Sequence, residues 1–90
     1  MTTYLITYDL KKPGQDYDEL YSEIESLADD YIHPCESNWF VTSGASATEI
    51  RDRLSPKTDV NDELIVVKAT TPGAWKDLSS DETAWLKDNL

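Results

Sequence analysis

Residues 3–8 read Thr-Tyr-Leu-Ile-Thr-Tyr, a β-branched and aromatic run with apolar side chains on both alternating faces. A strand of this kind has to be covered on both sides, so it belongs in the middle of a sheet and not at its rim. Only 90 residues are available to cover it. That is one small domain, which cannot enclose a large ligand cavity as well as a full core. A surface site, or one shared between subunits, is the easier thing to build.

The rest of the pattern follows from that strand. Asp9 ends it, and Lys11-Lys12-Pro13-Gly14 reads as a turn. From Asp16 to about Asp30, apolar residues recur at helical spacing through Tyr17, Leu20, Tyr21, Ile24, Leu27, Ala28 and Tyr31. Asp16 with Glu19 reads as a capping box. Tyr31 to Cys35 is a short strand whose Pro34 suits an edge. Asn38 to Ser43 is another, with Trp39 and Val41 on one face and Phe40 on the other. Ser46 with Glu49 caps a short helix ahead of Pro56. Glu63 to Ala69 is a buried strand, and Ser79 with Glu82 caps a final short helix that carries Trp85 and Leu86.

This is the β-α-β-β-α-β order of an α+β, ferredoxin-like fold. Right-handed crossovers give a four-stranded antiparallel sheet in the order 4-1-3-2 with both helices on one face. We expect a core over residues 1–70 and a C-terminal appendage over 71–90 that packs on the core or on a dimer partner. Trp75, Trp85 and the face left without helices argue for one of these.

Charge narrows the partners. Eight basic residues against 18 acidic ones give a formal net charge of −10. Such a surface repels the phosphate backbone, so nucleic acid would be bound weakly if at all. Anionic membranes are disfavoured too, and no apolar run approaches the roughly 18 residues of a span. One cysteine, Cys35, excludes an internal disulfide and a multi-cysteine zinc site. With no basic leader ahead of the first strand, a cytoplasmic protein is expected.

The predicted topology gathers Asp9, Glu36, Ser37, Asn61, Asp62 and Glu63 at one end of the sheet. Hard oxygen ligands there suit magnesium or manganese. The plainer explanation is that strand ends and turns are commonly acidic. His33, the only histidine, reads as a half-buried packing residue, with proton transfer as the alternative. Cys35 reads as a small buried apolar residue. Ser43-Gly44-Ala45-Ser46 is a strand-to-helix corner with no phosphate-loop fingerprint.

Three segments carry a resemblance. Tyr4 to Leu10 looks like the first strand of the CRISPR-associated protein 2 family, which ends in an aromatic-Asp pair. Glu36 to Val41 resembles its second motif, and Asn61 to Val67 its last core strand. Tyr8 to Gly14, Glu36 to Trp39 and Trp75 to Trp85 are similar to a branch of small SinR-like bacterial and phage proteins. The resemblance implies a ferredoxin-like homodimer. Some members of the family are metal-dependent nucleases on RNA or double-stranded DNA. Others are non-catalytic scaffolds of the CRISPR integration complex, and virulence-associated protein D ribonucleases are relatives.

Asp9 matches the family's metal-binding Asp at the dimer interface. The net charge and Glu36, which stands where the family has a basic residue, depart from the DNA-binding members. Two functions follow as expectations. One is a magnesium-dependent endonuclease, with manganese as substitute, in which Asp9 and Asp62 hold the metal and Asp9 and Ser37 serve catalysis. The other is a non-catalytic dimer that binds a protein partner, its acidic surface mimicking nucleic acid.

Overall fold

The computed structural model describes residues 1–11 and 17–90. In chain order come β1 (Thr2–Asp9), α1 (Asp18–Leu27), β2 (Asp30–Cys35), β3 (Asn38–Ser43), α2 (Ala47–Leu54), a 3-10 turn (Ser55–Lys57), β4 (Glu63–Lys68) and α3 (Ser80–Asn89). The strands make one antiparallel sheet in the order β2-β3-β1-β4, so β1 lies inside it as its composition requires. The architecture is the expected α+β, ferredoxin-like one, with a third helix at the C-terminus.

Strand alternation sorts the side chains into two layers. Tyr4, Ile6 and Tyr8 of β1 and Trp39 and Val41 of β3 face α1 and α2. There they pack with Leu20, Ile24, Leu27, Ile50 and Leu54. Ile6, Leu20, Ile24, Val41, Ile50 and Leu54 lose essentially all contact with solvent. Each such side chain stabilises the fold by about 1.5–3 kcal/mol.

The first helix is shorter than its apolar spacing suggests. Ala28 is already extended, at φ −90° and ψ 138°. The next amide, Asp29 N–H, donates to Thr42 O at 2.8 Å. Sheet pairing therefore takes the chain away from the helix at Leu27 and not near Asp30, and the strand expected from Tyr31 starts one residue earlier, at Asp30. The proposed Asp16 cap and the Lys12-Pro13-Gly14 turn lie outside the described residues. The capping boxes at Ser46/Glu49 and Ser79/Glu82 both form. Pro56 sits in the 3-10 turn that prolongs α2.

On the opposite face of the sheet, α3 covers one half. Leu86 is buried there, and Thr3 Oγ1 donates to Asn89 O. Between this helix, the segment before it and the sheet lies an apolar cavity of about 420 Å³ lined by Cys35, Phe40, Trp75, Leu78, Leu86 and Leu90, among others. Among the described residues, no helix covers the other half. Ile65 and Val67 of β4 are 54% and 45% exposed, with half-buried Leu5 and Thr7 of β1 beside them.

Candidate functional site

The acidic end of the sheet is assembled by β-pairing. Asp9 is the register partner of Glu63. Tyr8 N–H donates to Ser37 O at 3.2 Å, and the Tyr8 hydroxyl donates to Glu36 O at 3.2 Å. The antiparallel order thus brings the predicted residues to one rim. Asp9 and Ser37 are exposed there. A hollow of about 130 Å³ lined by Thr7, Tyr8, Asp9, Glu63 and Ile65 opens beside them. That is well below the roughly 300–1,000 Å³ of a small-molecule pocket.

Asp62 is already engaged. Its Oδ1 accepts Lys11 N–H at 2.8 Å, while Oδ2 accepts the Tyr17 hydroxyl at 2.8 Å and Asp59 N–H at 2.7 Å. Desolvation pushes its carboxyl up, but these donors outweigh it, and the net effect holds the group below the usual carboxylate range. Asp62 therefore ties the loop ahead of β4 to the start of α1 and to the segment after β1.

Lys11 supplies the local cation. Its ammonium pairs with Glu63, first through their hydrogen bond and then through charge, and Asp9 and Asp62 add to the field. The result raises its pKa. Positive charge thus already sits where a divalent ion would have to bind. Among the described residues, no group of three or more His, Cys, Asp or Glu side chains is placed to hold a metal ion. Asp9 and Glu63 are two carboxylates, fewer than the ligands a magnesium ion takes.

A second cluster lies on the helix side near β2. The His33 ring stacks on Trp39, with centroids 4.0 Å apart and planes 14° apart. Tyr21 and Tyr31 pack against the same indole at 6.0 and 5.4 Å. Trp39 Nε1 donates to the Tyr8 hydroxyl at 3.0 Å. His33 is a packing residue as expected, but an exposed one, with Nε2 3.1 Å from Glu36 O. Cys35 corrects the sequence reading, because it is exposed. It stands at the end of an edge strand, just ahead of a turn, and no element covers it fully.

The Ser43–Ser46 corner is a closed turn. Ser43 Oγ donates to Leu27 O, Ala45 N–H donates to Ser43 Oγ, and the Tyr4 hydroxyl donates to Ala45 O.

No family model, curated protein or solved structure matches the chain.

Sequence reasoning passed over Lys11 and Tyr17. Lys11 looked like turn chemistry and Tyr17 like helix core, and both have partners more than 40 residues away. The aromatic cluster was also missed. Its members are spread over β1, α1, β2 and β3, and only the strand register shows that they meet.

Proposed function

We propose that the chain is a homodimeric, non-catalytic protein-interaction module of the CRISPR-associated protein 2 type. The observation that carries this is the bare half of the outer face, where Ile65 and Val67 stand exposed beside Leu5. Apolar surface left open in this way marks a contact with another protein. The acidic end supports the same reading, since Asp62 is engaged and Lys11 already offsets Glu63. A net charge of −10 suits a basic protein partner better than nucleic acid. A lone cysteine fits a cytoplasmic setting.

Sedimentation at micromolar concentration should give a species of twice 10.2 kDa. Single-stranded RNA and duplex DNA should stay intact with magnesium or manganese. A 10.2 kDa species alone would defeat the dimer, and cleavage would defeat the non-catalytic reading.

Asp9 favours a second reading. It ends an inner strand, so its exposed carboxylate is held on a rigid element. Two copies of Asp9 across a two-fold axis could supply the ligands that one chain lacks. Magnesium there would polarise a phosphoryl oxygen, with Asp62 near the metal and Ser37 orienting substrate or water. On this reading Asp9→Asn abolishes cleavage and leaves the fold intact. On the first reading there is no cleavage to lose, and the substitution slightly stabilises the protein by removing one of two facing carboxylates.

A further inference from the structure

The open edge of the sheet identifies the dimer contact, an inference that rests on the dimeric reading above. Ala69 N–H donates to Thr3 O at 2.9 Å, which makes that pair a hydrogen-bonded one. Antiparallel pairs alternate, so Glu63, Ile65 and Val67 bond to β1, while Leu64, Val66 and Lys68 aim their N–H and C=O groups away from it. β4 is the last strand of the sheet, and those groups face the open edge. Leu64 and Val66 also border a shallow groove of about 160 Å³ beside Ala47, Thr48 and Arg51 of α2.

The charges say what fits this edge. The strand begins acidic, at Asp62-Glu63, and ends at Lys68, which has no ion-pair partner among the described residues. A second copy of the same strand laid antiparallel sets each Lys68 against the acidic start of the other. A parallel copy would set like against like. Two-fold pairing also requires residues on the same face to meet. One register meets every condition. Ile65 faces Ile65, Leu64 faces Val66 in hydrogen-bonded pairs, and Asp62 faces Lys68.

We infer that two copies pair through β4 in this register and form one continuous eight-stranded sheet. Asp9 then lies two residues along and one strand inward from the axis. At standard strand rise and spacing, the two Asp9 residues stay roughly 20 Å apart. That is too far to share an ion, so this interface excludes the Asp9-centred nuclease. It also departs from the dimer the family resemblance implies, in which that Asp lies at the interface, and keeps from the reading above only that the chain is a homodimer.

Two variants test it, at about 0.15 M salt so that repulsion between acidic subunits is screened. Val66→Pro removes an N–H that points away from β1, at the kind of edge position where proline is tolerated. It should leave the circular-dichroism spectrum unchanged and convert dimer to monomer. Ile65→Cys, with Cys35→Ser to remove the native thiol, places two thiols at a close non-hydrogen-bonded pair. Oxidation should give a covalent dimer on the order of a hundredfold faster than Val60→Cys in the same background, since only the paired thiols have a high effective concentration. A dimer that survives Val66→Pro, or that leaves the Ile65→Cys thiols no faster than the control, overturns the β4 interface while the dimeric reading stands. A wild-type chain that sediments as monomer overturns both.

Discussion

At one edge of the sheet, β2 carries Pro34, its register slips between Ile32 and Cys35, and α3 packs against it. At the other edge, β4 holds six consecutive register pairs with β1, contains no proline, and exposes Ile65 and Val67. Edge strands offer unpaired backbone groups, and proteins usually blunt them with proline, bulges, charge or a covering element. β2 has three of these devices. Among the described residues, β4 has α2 packed on its inner face and charges at its ends, but no proline, bulge or cover along its outer edge. The C-terminal segment is long enough to cover half of the outer face, and it covers the half that also has a guarded edge. The inner core runs under both sides, since Leu64 and Val66 pack against it too. The contrast lies in the outer face and edge, and it places the contact surface on the β1–β4 side and the outer cover on the β2–β3 side.

The largest expected effect tests that division directly. Leu86 is buried under the covered half, so Leu86→Ala should cost about 2–5 kcal/mol in urea unfolding. Ile65→Ala, made on the bare half, should cost less than about 1 kcal/mol when measured at concentrations too low for association. Equal costs would mean that the two halves are not different in kind.

A smaller effect probes the aromatic cluster on the guarded side. Tyr8→Phe removes the acceptor of Trp39 Nε1 and leaves that buried donor unpaired, which should cost about 1–3 kcal/mol. The phenol also has a signature. Burial pushes its pKa up to about 12, although the Trp39 bond pulls the other way. Ultraviolet titration of the wild type should show one tyrosine ionising well above the ordinary value of 10.0, and the variant should lack it. Because the folded value is raised, this contribution to stability is complete below pH 10 and lost as the pH climbs through about 12. A variant that unfolds at the wild-type urea concentration would show that the bond contributes nothing.

Local chemistry made much of this fold legible. The strand over 38–43, the boxes at Ser46 and Ser79, and the sheet order follow from alternation, capping pairs and crossover handedness. Where pattern and structure part, tertiary contact decides. The spacing carries the first helix to about Asp30, but Thr42 O captures the Asp29 amide and turns the chain into β2 already at Asp30. Cys35 departs for another reason, since Pro34 marks its strand as an edge but apolar character alone reads as burial. Apolar character likewise makes Glu63 to Ala69 read as a buried strand, whereas β4 is a half-exposed edge strand. The acidic rim was legible as a gathering of residues. What occupies it was not, because Lys11 and Tyr17 reach Asp62 across the fold.

Asp62 gives the smallest effect and the finest test, because it ties down the residues that lead into the open strand. Its folded pKa lies below the ordinary value, so ionised Asp62 is bound to the fold more favourably than protonated Asp62. The stabilisation is present above the unfolded value near 3.9 and disappears as pH falls through the lower, folded value. Asp62→Asn keeps the shape but replaces one accepting oxygen with a donor, so at least one of Lys11 N–H, Asp59 N–H and Tyr17 O–H loses its partner. At neutral pH the cost should stay below about 1 kcal/mol, because the solvent near this rim screens the charge. The decisive quantity is the difference between wild type and variant as the pH is lowered. It should shrink below the ordinary carboxylate range, where both side chains are neutral. Amide exchange at Lys11 and Asp59 should rise in the variant at pH 7 while exchange at Ile32 in β2 stays unchanged. A difference that grows on acidification would mean that Asp62 is held as the neutral acid, and the loop tie described here would be wrong.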